Sequence, residues 1–214
     1  MTDLPKRTNP GVYVTEFDAF PPSIVGVQTA VPIFIGYTET AVDPGTQTPA
    51  YLQPAAVTSM ADYAARFGGR HALEYGVQPG TATDFDFEAT QSDGSLGYYR
   101  LLPAGTARFN LFAALSLFYD NGGGDCFVVS VANYQGEQAA APDPTKPAVP
   151  ISKAALLAGL AAAQDQAGPS MLVVPDACLL PNADYGDVAV AQVRQAGALQ
   201  DRLAILDLPG AIRL

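Results

Sequence analysis

The sequence predicts an α/β fold: a mostly parallel or mixed sheet flanked by helices, with an extended amino-terminal β-arm and a loop-rich insertion. Three observations predict it. Short, nearly all-apolar runs at 31–37, 126–131, 171–174 and 203–206 read as strands buried on both faces. The later runs each follow a segment with helical spacing of apolar residues, the alternation that builds a parallel sheet covered by helices. Ahead of the first run lies a strand-patterned segment, 9–17, held off from it by Pro21-Pro22. The chain therefore divides into an arm and linker at 1–30 and a core at 31–214, with the insertion at about 71–107.

In the arm, Val12 and Val14 alternate with Tyr13 and Thr15, the period-2 pattern of β-branched and aromatic residues typical of a strand. A lone terminal strand must pair with a sheet edge, in its own chain or in a neighbour, because unpaired backbone groups are costly wherever water is excluded. After the strand at 31–37, residues 43–54 form a loop rich in turn formers. Ser59 then caps a helix to about Phe67, with Asp62 in a capping-box-like position and Gly68-Gly69 ending it. Periodicity is lost from His71 to Ala107, where a long excursion with one hairpin is expected.

Leu111, Phe112, Leu115 and Phe118-Tyr119 restore helical spacing, and Asn121-Gly122 supplies a left-handed stop before the strand at Cys126. Residues 133–150, with their prolines and successive alanines, read as a linker or surface loop. Ser152 caps an alanine-rich helix to about Gln166, and strand 171–174 follows. A second such unit runs from a helix at 188–200 into strand 203–206. The exits Val174-Pro175-Asp176-Ala177 and Leu206-Asp207-Leu208-Pro209 resemble each other as abrupt polar turns, and a repeat does not follow from that.

Composition narrows the function classes. With 11 Lys plus Arg against 21 Asp plus Glu, the net charge is -10, which lacks the positive field that phosphate backbones require, so no direct nucleic-acid partner is expected. Only 15% of residues are charged, low for the surface of a free monomer and suited to a subunit with much of its exterior hidden. Cys126 and Cys178 are too few for a disulfide framework, and the amino terminus lacks the pattern of a secretory leader, so synthesis in the cytoplasm is expected. No run approaches the roughly eighteen apolar residues that span a bilayer, so no direct membrane insertion is expected.

The candidate chemistry is thin. Asn121-Gly122-Gly123-Gly124-Asp125 runs helix, glycines, strand, the reverse of a phosphate loop, so it reads as a helix stop. In an extended strand, Asp84, Asp86 and Glu88 would share one face opposite Phe85 and Phe87, but the ligand series of a calcium loop is absent and a solvated or intersubunit acidic face is favoured. Sequence distance does not decide whether His71, the only histidine, pairs with a cysteine nucleophile, since such pairs meet only in the fold, but Cys126, opening a buried strand, reads as a small hydrophobe. Gly-x-Ser-x-Gly, His-Glu-x-x-His and Cys-x-x-Cys are all missing. No catalytic, cofactor or metal residue is assigned, and no enzyme is expected. The rival expectation is a Rossmann-like α/β ligand-binding domain or enzyme with its site at the strand carboxyl ends, near Asp176 and Asp207.

Several blocks carry a resemblance: Pro10 to Glu16 with Val25 to Glu39, Val57 to Tyr63 with Arg66 to Gly69, Phe118 to Val131, Leu172 to Ala177 and Asp201 to Pro209. In that order, spanning nearly the whole chain, they resemble contractile tail sheath proteins of phages and related bacterial injection particles. The resemblance implies a six-fold helical sheath around an inner tube, whose shortening drives the tube through a target envelope without a cofactor. It implies as partners other copies of the chain, the inner tube protein, and baseplate and terminal cap proteins. It makes Gly11, Val12, Tyr13, Val14, Thr15, Glu16 and Phe17 the intersubunit arm and Pro21 and Pro22 its hinge. It implies that the chain is made in the bacterial cytoplasm and that the particle is a phage tail or an extracellular or cytoplasmic contractile device. Sheath proteins of this kind continue well past the last block, so the resemblance also leads to the expectation that the chain is incomplete at its carboxyl end, with the receiving sheet lying beyond it.

Overall fold

A computed structural model describes residues 30–73, 75–103, 107–139, 141–143 and 145–209. Its centre is a five-stranded mixed sheet formed by β1 (Pro32–Thr38), β2 (Ala55–Val57), β6 (Cys126–Asn133), β7 (Met171–Val173) and β8 (Leu203–Ile205) in the order β2-β6-β1-β7-β8. β6, β1, β7 and β8 are parallel, and β2 joins antiparallel at one edge. Every residue of β1 is buried, as expected of a central strand covered on both faces.

Alternation along the strands divides the core into two layers. Ile33, Ile35 and Tyr37 point to the face covered by α3 (Lys153–Ala162) and α4 (Asn182–Leu199), where Leu156, Leu160 and Val188 meet Val129, Val131 and Leu172. Phe34 points to the other face, against α1 (Met60–Phe67) and α2 (Leu111–Asp120), with Tyr63, Phe67, Leu111, Leu115, Cys126 and Val128. The fold is thus α/β with helices on both sides of the sheet.

The helix ends show which local signals operate. Ser59 accepts a hydrogen bond from the Asp62 amide at 3.1 Å, and Asp62 returns one from the Thr58 amide at 3.2 Å, one residue earlier than a standard capping box. Gly68 closes α1 with φ 77°, and Gly122 closes α2 with φ 83°. α3 stops at Ala162 instead of reaching Gln166, because i to i−3 bonds from Gln164 and Gln166 tighten the chain there. The carbonyls of Ala163 and Gln166 accept from the buried Arg202 guanidinium at 3.0 Å each, while Asp201 neutralises it at 2.7 and 3.0 Å. Arg202→Met is expected to remove the guanidinium donors from that helix end and to lower stability by about 1.5–3 kcal/mol in urea titration, with m unchanged.

The segment expected as an excursion with one hairpin holds a second sheet, which is a correction. β3 (Tyr75–Pro79), β4 (Phe87–Thr90) and β5 (Leu96–Pro103) form three antiparallel strands in the order β3-β5-β4. Tyr75, Val77, Phe87 and Leu101 remain exposed on it, so the pattern of one buried and one polar face that betrays a strand never develops in the sequence. An aromatic clasp holds its stem: Phe109 packs on Tyr134, Tyr37 and His71 with centroids 4.6, 5.4 and 5.0 Å apart, and the Tyr134 hydroxyl donates to the Gly69 carbonyl at 2.9 Å.

α4 begins at Asn182, directly after Pro181, earlier than the expected Val188. The abrupt turn expected after β7 is a short 3₁₀ helix, Pro175–Leu179, whose first three residues are buried, so it is an interior feature.

Candidate functional site

From β1 the chain proceeds to β6 on one flank, and from β6 it crosses β1 to reach β7 on the other. The carboxyl ends of β1 and β7 therefore flank a topological switch point, the place where open α/β sheets hold ligands. The amino terminus of α2 points there too, as a phosphate-binding helix would.

That crevice is filled by the chain itself. Asp176 is fully buried, and its Oδ2 accepts from the Tyr37 amide at 2.8 Å while Oδ1 accepts from the Asn110 and Leu111 amides at 2.6 and 3.2 Å. Asn110 makes no side-chain cap of its own, so a carboxylate far away in sequence caps α2. The Asn110 side-chain amide instead donates to the Pro175 carbonyl at 3.2 Å, fixing the turn that carries Asp176. Burial pushes the Asp176 carboxyl up to about 6, against the downward pull of the three amides. At neutral pH it is an anion in the position a bound phosphate would take.

Gly36 makes this possible. A Cβ there would lie far inside van der Waals contact distance of Asp176 Oδ2, 3.2 Å from its Cγ and 3.1 Å from Leu111 Cβ. Cys178 sits at the same turn, its thiol donating to the Pro175 carbonyl at 3.3 Å. Burial raises the Cys178 thiol, with Asp207 adding to the shift, which keeps it protonated and a poor nucleophile. Asp207 is exposed and its carbonyl accepts from the Tyr185 hydroxyl at 2.5 Å.

The remaining candidates are dispersed. His71 stacks edge-on against Phe109 and Tyr134. Cys126 lies in the opposite core layer, 3.3 Å from the Tyr119 hydroxyl. The glycines at 122–124 stand at the carboxyl end of α2, where the Gly122 and Gly123 amides are spent on the carbonyls of Tyr119 and Phe118. The acidic strand face does not form, a second correction. β4 starts only at Phe87, Asp84 pairs with Arg100 at 2.9 Å, and Asp86 accepts from the Leu101 amide at 2.7 Å. Phe85 stacks on Tyr98 and Phe87 on Tyr99, consecutive residues that point to opposite faces of β5, so the two phenylalanines do not share a side. Among the described residues no group of three or more His, Cys, Asp or Glu is placed to hold a metal ion, and no helix is long and apolar enough to cross a membrane.

The arm residues Gly11 to Phe17 and the hinge prolines Pro21 and Pro22 lie outside the described residues. What sequence reasoning missed is the exposed surface around β8. Leu203 is 69% and Leu208 75% exposed, with Ile205 and Leu206 also in the open. As a string of letters that run is indistinguishable from a buried strand; only the neighbours in space differ.

No family model matches the sequence, and no curated protein matches it.

Proposed function

We propose that the chain is a structural subunit of a contractile sheath, polymerising through its amino-terminal arm around an inner tube and shortening to drive that tube through a target envelope. Its partners on this reading are other copies in a six-fold helical lattice, the tube protein, and baseplate and cap proteins. The observation that carries the reading is the surface: apolar side chains stand exposed along β8 and across the β3-β5-β4 sheet of a chain that is only 15% charged. Apolar exposure on that scale is a feature of subunits that bury it against one another.

The filled crevice supports the same reading. A Rossmann-like enzyme or binding domain would use the ends of β1 and β7 near Asp176 and Asp207, and an internal carboxylate already satisfies the amides a ligand anion would need. Work would come instead from assembly, as the difference between a metastable extended packing and a denser contracted one.

Sedimentation of the full chain with a parallel thermal-shift screen against nucleotides tests this. Concentration-dependent formation of large polymers and no nucleotide-induced shift are expected. A monomer at all concentrations whose Tm rises with a nucleotide would favour the rival.

A further inference from the structure

We infer that Asn121 is a site of spontaneous covalent modification, conversion to aspartate and isoaspartate, and that the last turn of α2 sets its rate. The reaction is independent of the sheath reading. Asn121 is the one asparagine in the chain that is followed by glycine. Without a Cβ, Gly122 leaves its amide nitrogen open to approach the Asn121 side chain, and nothing lies within 4 Å of the position a Cβ would take. Both residues are exposed on the rim of an open groove that Ala30, Val31 and Phe118 help to line, so water reaches them.

The step needs no co-reactant but water. The Gly122 nitrogen gives up its proton to solvent and bonds to Asn121 Cγ, the Cγ–Nδ2 bond breaks, and Nδ2 takes a proton and leaves as ammonia. Water then opens the resulting succinimide ring at one of its two carbonyls. One opening restores the ordinary backbone as aspartate, and the other routes it through the side chain as isoaspartate. Asp93-Gly94 offers the same glycine beside a weaker electrophile. Hydrogen bonds from the Ser95 hydroxyl and amide hold the Asp93 carboxyl below its ordinary range, and a carboxylate resists attack more than an amide does.

In the folded chain two hydrogen bonds stand in the way. Asn121 Nδ2 donates to the Leu117 carbonyl at 2.7 Å, and the Gly122 amide donates to the Tyr119 carbonyl at 3.0 Å. Both must open before the Gly122 nitrogen can lose its proton and turn toward Cγ. Residues just upstream limit that fraying: Phe118 packs edge-on against Phe34 with centroids 5.6 Å apart, and the Tyr119 hydroxyl donates to the Val57 carbonyl at 3.0 Å. Conversion then weakens the gate itself. A carboxylate has no donor for Leu117 and puts a negative charge at the carboxyl end of the α2 dipole, next to Asp120. Isoaspartate also adds a backbone atom to the turn that leads into β6.

Incubation of the full-length chain at 37 °C and pH 8, followed by peptide mass spectrometry with chromatographic separation of the two products, tests the site and its gate. Acid is expected to accumulate at Asn121 in the folded protein, at least about tenfold more slowly than in the guanidinium-unfolded chain. Tyr119→Phe removes the anchor on Val57 but keeps the ring, and is expected to raise the folded-state rate at least about threefold while unfolding stays cooperative. Asn121→Asp, standing for the product, is expected to lower Tm by about 2–4 °C. An Asn121 that stays intact in the folded chain overturns the site. Equal rates in folded and unfolded chains, or a folded-state rate that Tyr119→Phe does not move, overturn the gate. An Asn121→Asp chain as stable as the parent overturns the weakening of the turn by its own product.

Discussion

Asp176→Asn is expected to lower stability at pH 7 by about 3 kcal/mol and to abolish one component of the protein's pH dependence. The Asn side chain has one acceptor oxygen, so its amide nitrogen must confront a backbone donor, either Tyr37 on one side or Asn110 and Leu111 on the other. A buried donor left facing a donor carries the full desolvation penalty, and the amino terminus of α2 loses its charge partner as well. For a chain of 214 residues, 3 kcal/mol corresponds to a fall in Tm of about 6–12 °C.

The pH signature separates this cause from ordinary core damage. The folded-state value of about 6 lies above the ordinary 3.8, so between those values the folded protein holds a proton that the unfolded chain has released. The associated stabilisation is complete below pH 4 and is lost as the pH rises through about 6, a change of about 3 kcal/mol for a shift of about two pH units. Urea titrations at pH 5 and 7 are expected to show parent stability falling relative to Asp176→Asn over that interval. A constant difference would mean that Asp176 does not titrate there. Gly36→Ala, which drives a methyl group into the same carboxylate, is expected to cost about 2 kcal/mol. Combined with Asp176→Asn, its effect is expected to be less than additive, since both act on one contact.

Val14→Pro and Tyr13→Pro are expected to abolish polymerisation while the α/β core keeps its unfolding midpoint. If the arm makes about four backbone hydrogen bonds at about 0.5–1.5 kcal/mol net, each arm contributes about 2–6 kcal/mol, or about 30-fold to more than 10,000-fold in each association constant. Proline removes an amide donor and restricts its neighbour, and every subunit of the polymer feels the loss. The core elements from Pro32 onward pack among themselves, so circular dichroism and thermal unfolding are expected to match the parent. Sedimentation reads the polymer. Assembly at parental concentrations by either variant would remove the arm from the account.

Where a signal was local, the sequence displayed it. Ser59, Gly68, Ser152 and Gly122 mark helix ends by side-chain and φ requirements that operate within a few residues, and the all-apolar runs identify β1, β6, β7 and β8 of the central sheet, while the three-residue edge strand β2 was missed. Features set by distant partners were illegible. Asp176 looks like any polar residue in a strand exit, yet it is the cap of a helix that begins 65 residues earlier at Leu111. Arg202 gave no hint of closing α3, and the length predicted for that helix was wrong for the same reason. The β3-β5-β4 sheet lacks a buried face, so its strands carry none of the alternation that burial would impose. The edge character of β8 depends on which strand comes last in space.

Electron microscopy of the assembled particle tests the central claim most directly. The account predicts a striated helical polymer of six-fold symmetry enclosing a tube, present in a long and a shortened form, with Val14→Pro particles reduced to dispersed subunits. Dispersed subunits from the unsubstituted chain in the presence of its tube, or a closed oligomer that encloses nothing, would contradict it.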